Sequence, residues 1–347
     1  MNGMQTRTPV TTRTLGSTRT LGTDGPVVSA LGLGAMGMTN GVYGASDRAE
    51  SIATVHAALD AGITLIDTGD HYGTGHNEML LAEALRDRPR DSYLLSVKFG
   101  ALSQPGGGFN GQDSRPAAVK NFLIHSMTRL GVDHIDIYRP ARLDPAVPIE
   151  ETVGAIKEMI DAGHVRHVGL SEVGADTIRR AHAVHPVADL QIEYSLISRA
   201  VESEVLPTLR ELGIGLTAYG VLSRGLISGH WKPADAGRPG ENRGRMPRFQ
   251  GANAEHNLAL VEALRRVAGT RDVTVAQLAI AWVAAQGDDI VPLVGARTRT
   301  RLAEALASAN LKLSAADLAE IERAVPKGAA RGDRYPSAMM SGVGVGN

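Results

Sequence analysis

One rhythm constrains this chain more than any other feature. Short apolar runs alternate with amphipathic segments over most of its length. The runs lie at 31–35, 63–66, 93–98, 135–138, 165–170, 188–194, 214–219 and 289–294, and most are rich in Val, Ile and Leu. Runs without polar alternation read as strands covered on both faces, as in a parallel sheet. Helical spacing marks 47–61, 77–86, 116–130, 149–162, 174–184, 203–212, 254–268 and 274–286, with two more helices at 298–307 and 314–324. In 116–130, for example, Val119, Phe122, Leu123, Met127 and Leu130 recur on one helical face. Eight strands alternating with helices predict an α/β fold, a (β/α)8 TIM barrel with extra C-terminal helices. A doubly wound open sheet is the runner-up.

The ends of the chain set the domain boundaries. Residues 1–17, rich in Thr and Arg, read as a disordered extension. Thr18–Leu21 and Val27–Leu31 flank Gly22-Thr23-Asp24-Gly25-Pro26, which signals an N-terminal β-hairpin. Residues 18–340 then form a single barrel domain, and 341–347 a flexible tail. A polar segment at 231–252 interrupts the rhythm without ending it.

Composition narrows the function. A net charge of −1 gives no electrostatic case for nucleic acid or an anionic membrane. The absence of cysteine excludes disulfides, thiolate metal sites and a cysteine nucleophile. The 11 histidines show neither H-x-x-x-H nor H-E-x-x-H, so no metal is implied. No apolar run approaches the roughly 20 residues that span a bilayer, and the N-terminus has no apolar signal core. A cytoplasmic protein is expected; its oligomeric state is not addressed by the sequence.

Gly32-Leu33-Gly34-Ala35-Met36-Gly37 spells G-x-G-x-x-G, the dinucleotide fingerprint of Rossmann folds. That motif needs a helix starting inside it, so that N-terminal amides face the pyrophosphate. Here a loop follows, and the helix starts only near Asp47, with Glu50 as a capping partner. Close backbone packing at a strand end is the better reading.

In a barrel, the active site lies at the C-terminal strand ends. Asp67, Lys98, Ser171, Gln191, Tyr219 and Gly295 all fall there, and Tyr72 follows Asp67 in a loop with Gly69, Gly73 and Gly75. Tyrosine is a weak acid, with a reference pKa of about 10. A nearby ammonium favours the phenolate and improves proton donation, and an aspartate can hold that ammonium in place. Asp67, Tyr72 and Lys98 therefore suit proton delivery to a carbonyl oxygen. Taken singly, each has a blander reading as a surface ion pair or packing residue; together at strand ends they point to catalysis.

Several ordered segments carry a resemblance. They are G-I-T-L-I-D-T-G-D-H-Y-G at 62–73, the strand ending at Lys98, R-H-V-G-L-S-E at 166–172, Q-I-E-Y-S-L at 191–196, A-Y-G-V-L-S-R-G at 218–225 and V-P-L-V-G-A-R at 291–297. From Thr18 to about Met340 the sequence resembles the aldo-keto reductases, a family of NAD(P)H-dependent (β/α)8 barrels. D-R-Y-P-x-A-M-M at 333–340 is similar to bacterial members. The resemblance implies a catalytic tetrad of Asp, Tyr, Lys and His, of which Asp67, Tyr72 and Lys98 match three. The histidine position holds Ala141, whose methyl cannot hydrogen-bond a carbonyl. Three readings stay open: Tyr72 and Lys98 suffice for reactive carbonyls, the favoured one; His71, Arg139 or Arg142 supplies the missing donor; or the chain binds nucleotide and turns over poorly as a regulatory or interaction protein. For His71 a solvated loop position is the commoner role, and for Arg142 a structural ion pair.

The resemblance also implies a cofactor site. Ser171 and Gln191 would bond the nicotinamide carboxamide, and Tyr219 would stack on its ring. Gly220, Leu222 and Arg224 would follow the pyrophosphate. Residue 172 is Glu where many members have Asn, so that role does not transfer. Gly295, Ala296 and Arg297 open a phosphate-binding turn at a helix N-terminus. Arg297, Arg299 and Arg301 form a basic cluster, and an arginine fork suits a 2′-phosphate, which favours NADPH over NADH; Arg299 reads better as a solvated helix position. Glu304 is kept on the adenine side, where the usual Asn is lost. The implied activity is NADPH-dependent reduction of aldehydes or ketones, small-molecule carbonyl substrates, to alcohols. Tyr43, Phe99, Ala141 and Trp231 are candidate substrate walls, and the loops at 99–115 and 225–252 and the C-terminal tail would set selectivity. A barrel enzyme acting on a phosphorylated metabolite is a weaker reading, because Tyr72 and Lys98 give it no support.

Overall fold

A computed structural model of the chain describes residues 15–40, 43–105, 108–236, 238, 240–340 and 342–344. The strands, in chain order, are β1 (Thr18–Thr20), β2 (Val27–Ser29), β3 (Gly32–Gly34), β4 (Leu65–Gly69), β5 (Leu94–Phe99), β6 (Ala101–Ser103), β7 (Phe109–Gln112), β8 (Ile135–Pro140), β9 (Val165–Ser171), β10 (Val187–Glu193), β11 (Gly215–Tyr219) and β12 (Ile290–Val294). The helices are α1 (Arg48–Asp60), α2 (His76–Leu85), α3 (Pro116–Leu130), α4 (Ile149–Asp161), α5 (Ala175–Val184), α6 (Val205–Leu212), α7 (Gly251–Gly269), α8 (Val275–Ala284), α9 (Arg299–Ala307), α10 (Ala315–Ala324) and α11 (Ser337–Met340).

Strands β3, β4, β5, β8, β9, β10, β11 and β12 pair in that order, all parallel, and β12 closes on β3 through Leu293↔Gly32. The closed (β/α)8 barrel is therefore present, and the open doubly wound sheet is excluded. β1 and β2 form the expected antiparallel hairpin, with Arg19 opposite Val28. Leu21 and Val28 of the hairpin region pack with Leu65, Ile137 and Val291, plugging the barrel floor.

Strand periodicity sorts the side chains into two layers. Leu65, Ile137 and Val291 face the barrel interior, whereas Ile66, Leu95, Val97, Phe99 and Tyr138 belong to the larger core between strands and helices. Asp67 and Lys98 share the interior parity. The barrel's middle layer is polar: Arg139 forms an ion pair with Asp189 at 3.0 Å and donates to Ser96 Oγ at 2.9 Å, and Thr217 Oγ1 donates to Asp189. All of these are buried.

The glycine motif at 32–37 serves packing. A Cβ on Gly32 would lie 2.9 Å from Leu293 Cδ1 and 3.1 Å from a Leu65 methyl. Asp47 caps α1 by accepting from Glu50 N at 2.7 Å, but the Glu50 carboxylate reaches Arg299 instead of completing a capping box. The polar segment after residue 231 is a series of single 3-10 turns. Of the expected N-terminal extension, 1–14 lie outside the described residues; Leu15 N donates to Ala61 O at 2.7 Å and packs on the core. In the tail, Ser341 and 345–347 lie outside the described residues, while Gly344 N donates to Glu172 O at 2.8 Å. Among the described residues, no helix is long and apolar enough to cross a membrane.

Candidate active site

Asp67 lies at the middle of the short β4 and Lys98 next to the end of the adjacent β5, with Asp67 opposite Ser96 and Lys98 opposite Gly69. The Lys98 ammonium bonds Asp67 Oδ1, and both side chains are buried. Asp67 Oδ2 accepts from Ser96 Oγ at 2.8 Å and from Gln191 Nε2 at 2.7 Å. A buried carboxylate held by three donors is a fixed anchor. Lys98 Nζ sits 5.4 Å from the centre of the Tyr72 ring. The sequence separates these residues by up to 124 positions, and the barrel mouth gathers them.

The loop that presents Tyr72 is tightly wound. Gly73, Thr74 and Gly75 all take positive φ, at 59°, 53° and 90°. A Cβ on Gly73 would lie 2.5 Å from Thr39 Cγ2, so glycine is required there for space as well as conformation. Asn77, fully buried, then ties the loop down: Thr68 Oγ1 donates to its Oδ1 at 2.7 Å, and its Nδ2 donates to Ala35 O and Thr39 Oγ1, each at 2.9 Å.

The electrostatics correct one expectation. Lys98 does not bring the Tyr72 phenol below its ordinary pKa. Burial pushes that pKa well up, the Asp67 charge adds to the rise, and Arg142 opposes it. Burial also lowers the Lys98 pKa, against the pull of Asp67. The phenol thus holds its proton at neutral pH.

Of the residues that could replace the absent imidazole, two are engaged elsewhere. Arg139 is fully buried in the barrel's polar layer. His71 Nδ1 bonds Asp70 at 3.1 Å and its ring stands edge-on to Tyr72, centres 4.6 Å apart. Arg142 stays at the mouth: its Nη1 donates to Ala141 O at 2.6 Å and its Nη2 to Tyr335 OH at 3.3 Å. The structural ion pair expected for Arg142 is absent among the described residues. Ala141 itself is buried, its N–H donating to Phe99 O at 2.8 Å.

On the cofactor side, Ser171 Oγ is buried without a partner. Tyr219 OH donates to Glu172 Oε1 at 2.7 Å and lies 3.0 Å from Tyr335 OH. Ser223 and Arg224 both take positive φ, at 45° and 58°, rare for residues with side chains, just beyond Gly220 and Leu222. The Arg224 guanidinium lies 4.7 Å from the Tyr335 ring centre. After β12, Gly295 is exposed and a Cβ there would meet nothing within 4 Å. Arg297 Nη1 donates to Tyr43 O at 2.6 Å and Ala45 O at 3.1 Å, so it fastens that loop. Arg299 pairs with Glu50 at 2.8 Å, consistent with a surface role. Arg301 bonds Glu304 at 3.0 Å and His230 at 2.6 Å. An orphaned hydroxyl, an open turn and a strained, arginine-bearing loop along one rim fit an extended, anionic cofactor.

The candidate substrate walls divide. Tyr43 sits at the rim under Arg243, 5.5 Å from its ring centre. Trp231 is buried edge-on against Phe249, centres 4.9 Å apart. Phe99 is a correction: it has outward parity, is fully buried, and stacks on Tyr138 at 4.2 Å, so it lines the helix layer and not the mouth.

Sequence reasoning missed the partner of Glu172. Glu172, fully buried with φ 54°, pairs with Arg334 at 2.9 Å. Burial pushes the Glu172 carboxyl up, but the charge and hydrogen bonds of Arg334, aided by the charge of Arg142, hold it below the usual range. Glu193, also buried, lies 3.4 Å from Arg248 and 3.9 Å from Arg334. The D-R-Y-P stretch was the only signal of this C-terminal latch.

The closed parallel barrel places the chain in the (β/α)8 class, with Asp67, Tyr72 and Lys98 gathered at its strand ends. Residues 30–326 match the Aldo/keto reductase family. The chain is 40% identical over 315 residues to a probable aldo-keto reductase 1 from Glycine max, covering 90% of each chain. It is similar in structure to the glycerol dehydrogenase AKR11B4 from Gluconobacter oxydans, with a TM-score of 0.80, 28% identity, and coverage of 89% of this chain and 96% of that one. The chain belongs to the aldo/keto reductase family, whose members oxidise and reduce carbonyl compounds with nicotinamide cofactors.

Proposed function

We propose that the protein reduces aldehydes or ketones to alcohols with NADPH, Tyr72 being the proton donor. The observation that carries this reading is the buried Asp67–Lys98 pair, with Lys98 Nζ 5.4 Å from the centre of the Tyr72 ring. When bound, the nicotinamide supplies a hydride to the carbonyl carbon. Tyr72 gives its phenolic proton to the carbonyl oxygen. Its raised pKa keeps the proton in place until negative charge develops on that oxygen. Lys98 then stabilises the phenolate left behind, and Asp67 keeps the ammonium charged and aimed. The bonds from Ser96 and Gln191 to Asp67 prevent it from turning away.

The residues that would hold the cofactor follow the rim. Ser171 Oγ, without a partner, and the Gln191 side-chain carbonyl are suited to the carboxamide. The Tyr219 ring forms the stacking face. Gly220, Leu222 and Arg224 border the pyrophosphate path, and the Gly295 turn offers open backbone next to α9. Arg297 is engaged with the 43–45 loop, so the half-exposed Arg301, with Glu304 beside it, takes the main part in 2′-phosphate recognition. Tyr43 and Trp231 flank the substrate side, and Ala141 leaves room there.

Titration of the purified protein with both dinucleotides tests the cofactor assignment. NADPH is expected to bind at least about tenfold more tightly than NADH, a margin that charge-assisted hydrogen bonds supply. Arg301→Ala is expected to remove most of it. Equal affinities would refute the arginine assignment.

Two observations favour a second reading. Ala141 provides no donor, and the Tyr72 phenol is pushed up by burial. A nucleotide-bound regulatory protein with weak turnover has the same features. Failure to consume NADPH with any of a panel of aldehydes would select that reading.

A further inference from the structure

The charges at the barrel mouth do not balance. Lys98 is paired with Asp67, Arg334 with Glu172, and Arg248 lies against Glu193. Among the described residues, no carboxylate lies within ion-pair distance of Arg142, although its side chain is partly withdrawn from solvent. Arg224 shares this condition, but the proposed cofactor path accounts for it. Arg142 is thus a half-buried cation at the mouth that proton delivery through Tyr72 and Lys98 does not use. Removing a charge from water without a counter-ion is costly, and a site keeps such a charge where a ligand supplies the missing partner.

The guanidinium is also held ready. Its two contacts are to a backbone carbonyl and to a phenol oxygen, Ala141 O and Tyr335 OH. Tyr335 is itself fixed by Tyr219 OH at 3.0 Å and by Arg224 stacked 4.7 Å from its ring centre. Arg142 lies 6.0 Å from the same ring centre. A guanidinium has five N–H donors, and these contacts engage two. The rest form a planar fork that matches a carboxylate's two oxygens. Neighbouring Ala141 contributes only a methyl, so no neutral donor at this strand end competes. Arg142 lies two residues beyond β8, the strand that pairs with β5 and its Lys98, which places it on the reacting side of the mouth.

We propose that Arg142 is a specificity-determining residue that clamps a carboxylate on the substrate, so that the preferred substrates are aldehydes or ketones bearing a carboxylate. This rests on the carbonyl-reductase reading above. Tyr335 is the positioning residue that keeps the guanidinium turned toward the mouth.

The test compares two aldehydes that differ only in charge, para-carboxybenzaldehyde and its methyl ester, with NADPH-loaded protein. The acid is expected to be preferred in kcat/KM by at least about tenfold. Arg142→Met is expected to abolish the preference, and Arg142→Lys to restore part of it, because lysine keeps the charge and loses the fork. A second arm needs no turnover: calorimetric titration of para-hydroxymethylbenzoate and its methyl ester into NADP-loaded protein. Arg142→Met is expected to weaken binding of the acid by about tenfold or more and to narrow its advantage over the ester. Equal binding of acid and ester by the unmodified protein, or an advantage unchanged in Arg142→Met, would overturn the clamp. If neither aldehyde oxidises NADPH, the reductase reading fails, and the titration still decides the clamp.

Discussion

Lys98 is under two opposing pressures. Burial disfavours its charge, the Asp67 carboxylate favours it, and burial prevails, leaving its pKa below the ordinary value. The consequence for pH is specific. If the ammonium is needed to stabilise the Tyr72 phenolate, kcat/KM falls on the alkaline side with a midpoint below the ordinary lysine value of about 10.4. Tyr72 does not set that limb, because its own pKa is pushed well above 10. The stability sign runs the other way. A lysine whose folded pKa is depressed binds its proton more weakly in the folded state than in the unfolded chain. Between the folded pKa and about 10.4 this group therefore adds stability as pH rises. Activity lost in that window is not unfolding. A kcat/KM profile taken with melting temperatures at each pH checks this: a falling rate with no drop in melting temperature attributable to this group is expected, and a flat rate through the window would contradict it.

At the scale of elements, the C-terminal segment is fastened across the barrel. Arg334 reaches Glu172 at the end of β9 from 162 residues away, and Gly344 bonds the Glu172 carbonyl. Both partners of the ion pair are almost fully buried. Removing one of them is expected to cost about 3 kcal/mol, because a buried charge loses its main partner. Glu172→Gln, Arg334→Met and the double variant, unfolded in urea, form the check; the double variant should lose clearly less than the sum of the singles. Strict additivity would show that the pair is not coupled. Nothing local signalled this contact. The sequence showed D-R-Y-P within a tail expected to rim the pocket but gave no sign of this pairing, because an ion pair between distant elements leaves no periodic trace. A different reason hid β6 and β7: the strands are three and four residues long, too short for a periodic signal, and a glycine-rich stretch joins them. By contrast α3 was legible to the residue, since Pro116 starts it, Gly131 stops it in a left-handed turn, and its apolar face is continuous.

At the scale of the whole molecule, the barrel was legible because each strand carries its own signal. An uninterrupted apolar run needs no knowledge of its neighbour, and eight such runs with intervening helices admit few topologies. Strand ends then indicated where chemistry would gather, and the structure does bring Asp67, Tyr72, Lys98, Ser171 and Gln191 to one mouth. Parity within a strand was not legible at Phe99, one residue beyond Lys98 and therefore on the opposite face. Nor was the direction of the Tyr72 pKa, since burial is a property of the assembled mouth and outweighs the single neighbour visible in the sequence. In the proposed function, proton delivery rests on Tyr72. The most direct test is the rate at which the reduced nicotinamide disappears with a simple aldehyde, measured for the unmodified protein and for Tyr72→Phe at saturating NADPH. A loss in kcat of about 10²- to 10⁴-fold, with NADPH affinity retained, is the outcome expected; a variant that reduces the aldehyde within a few-fold of the unmodified rate would contradict it.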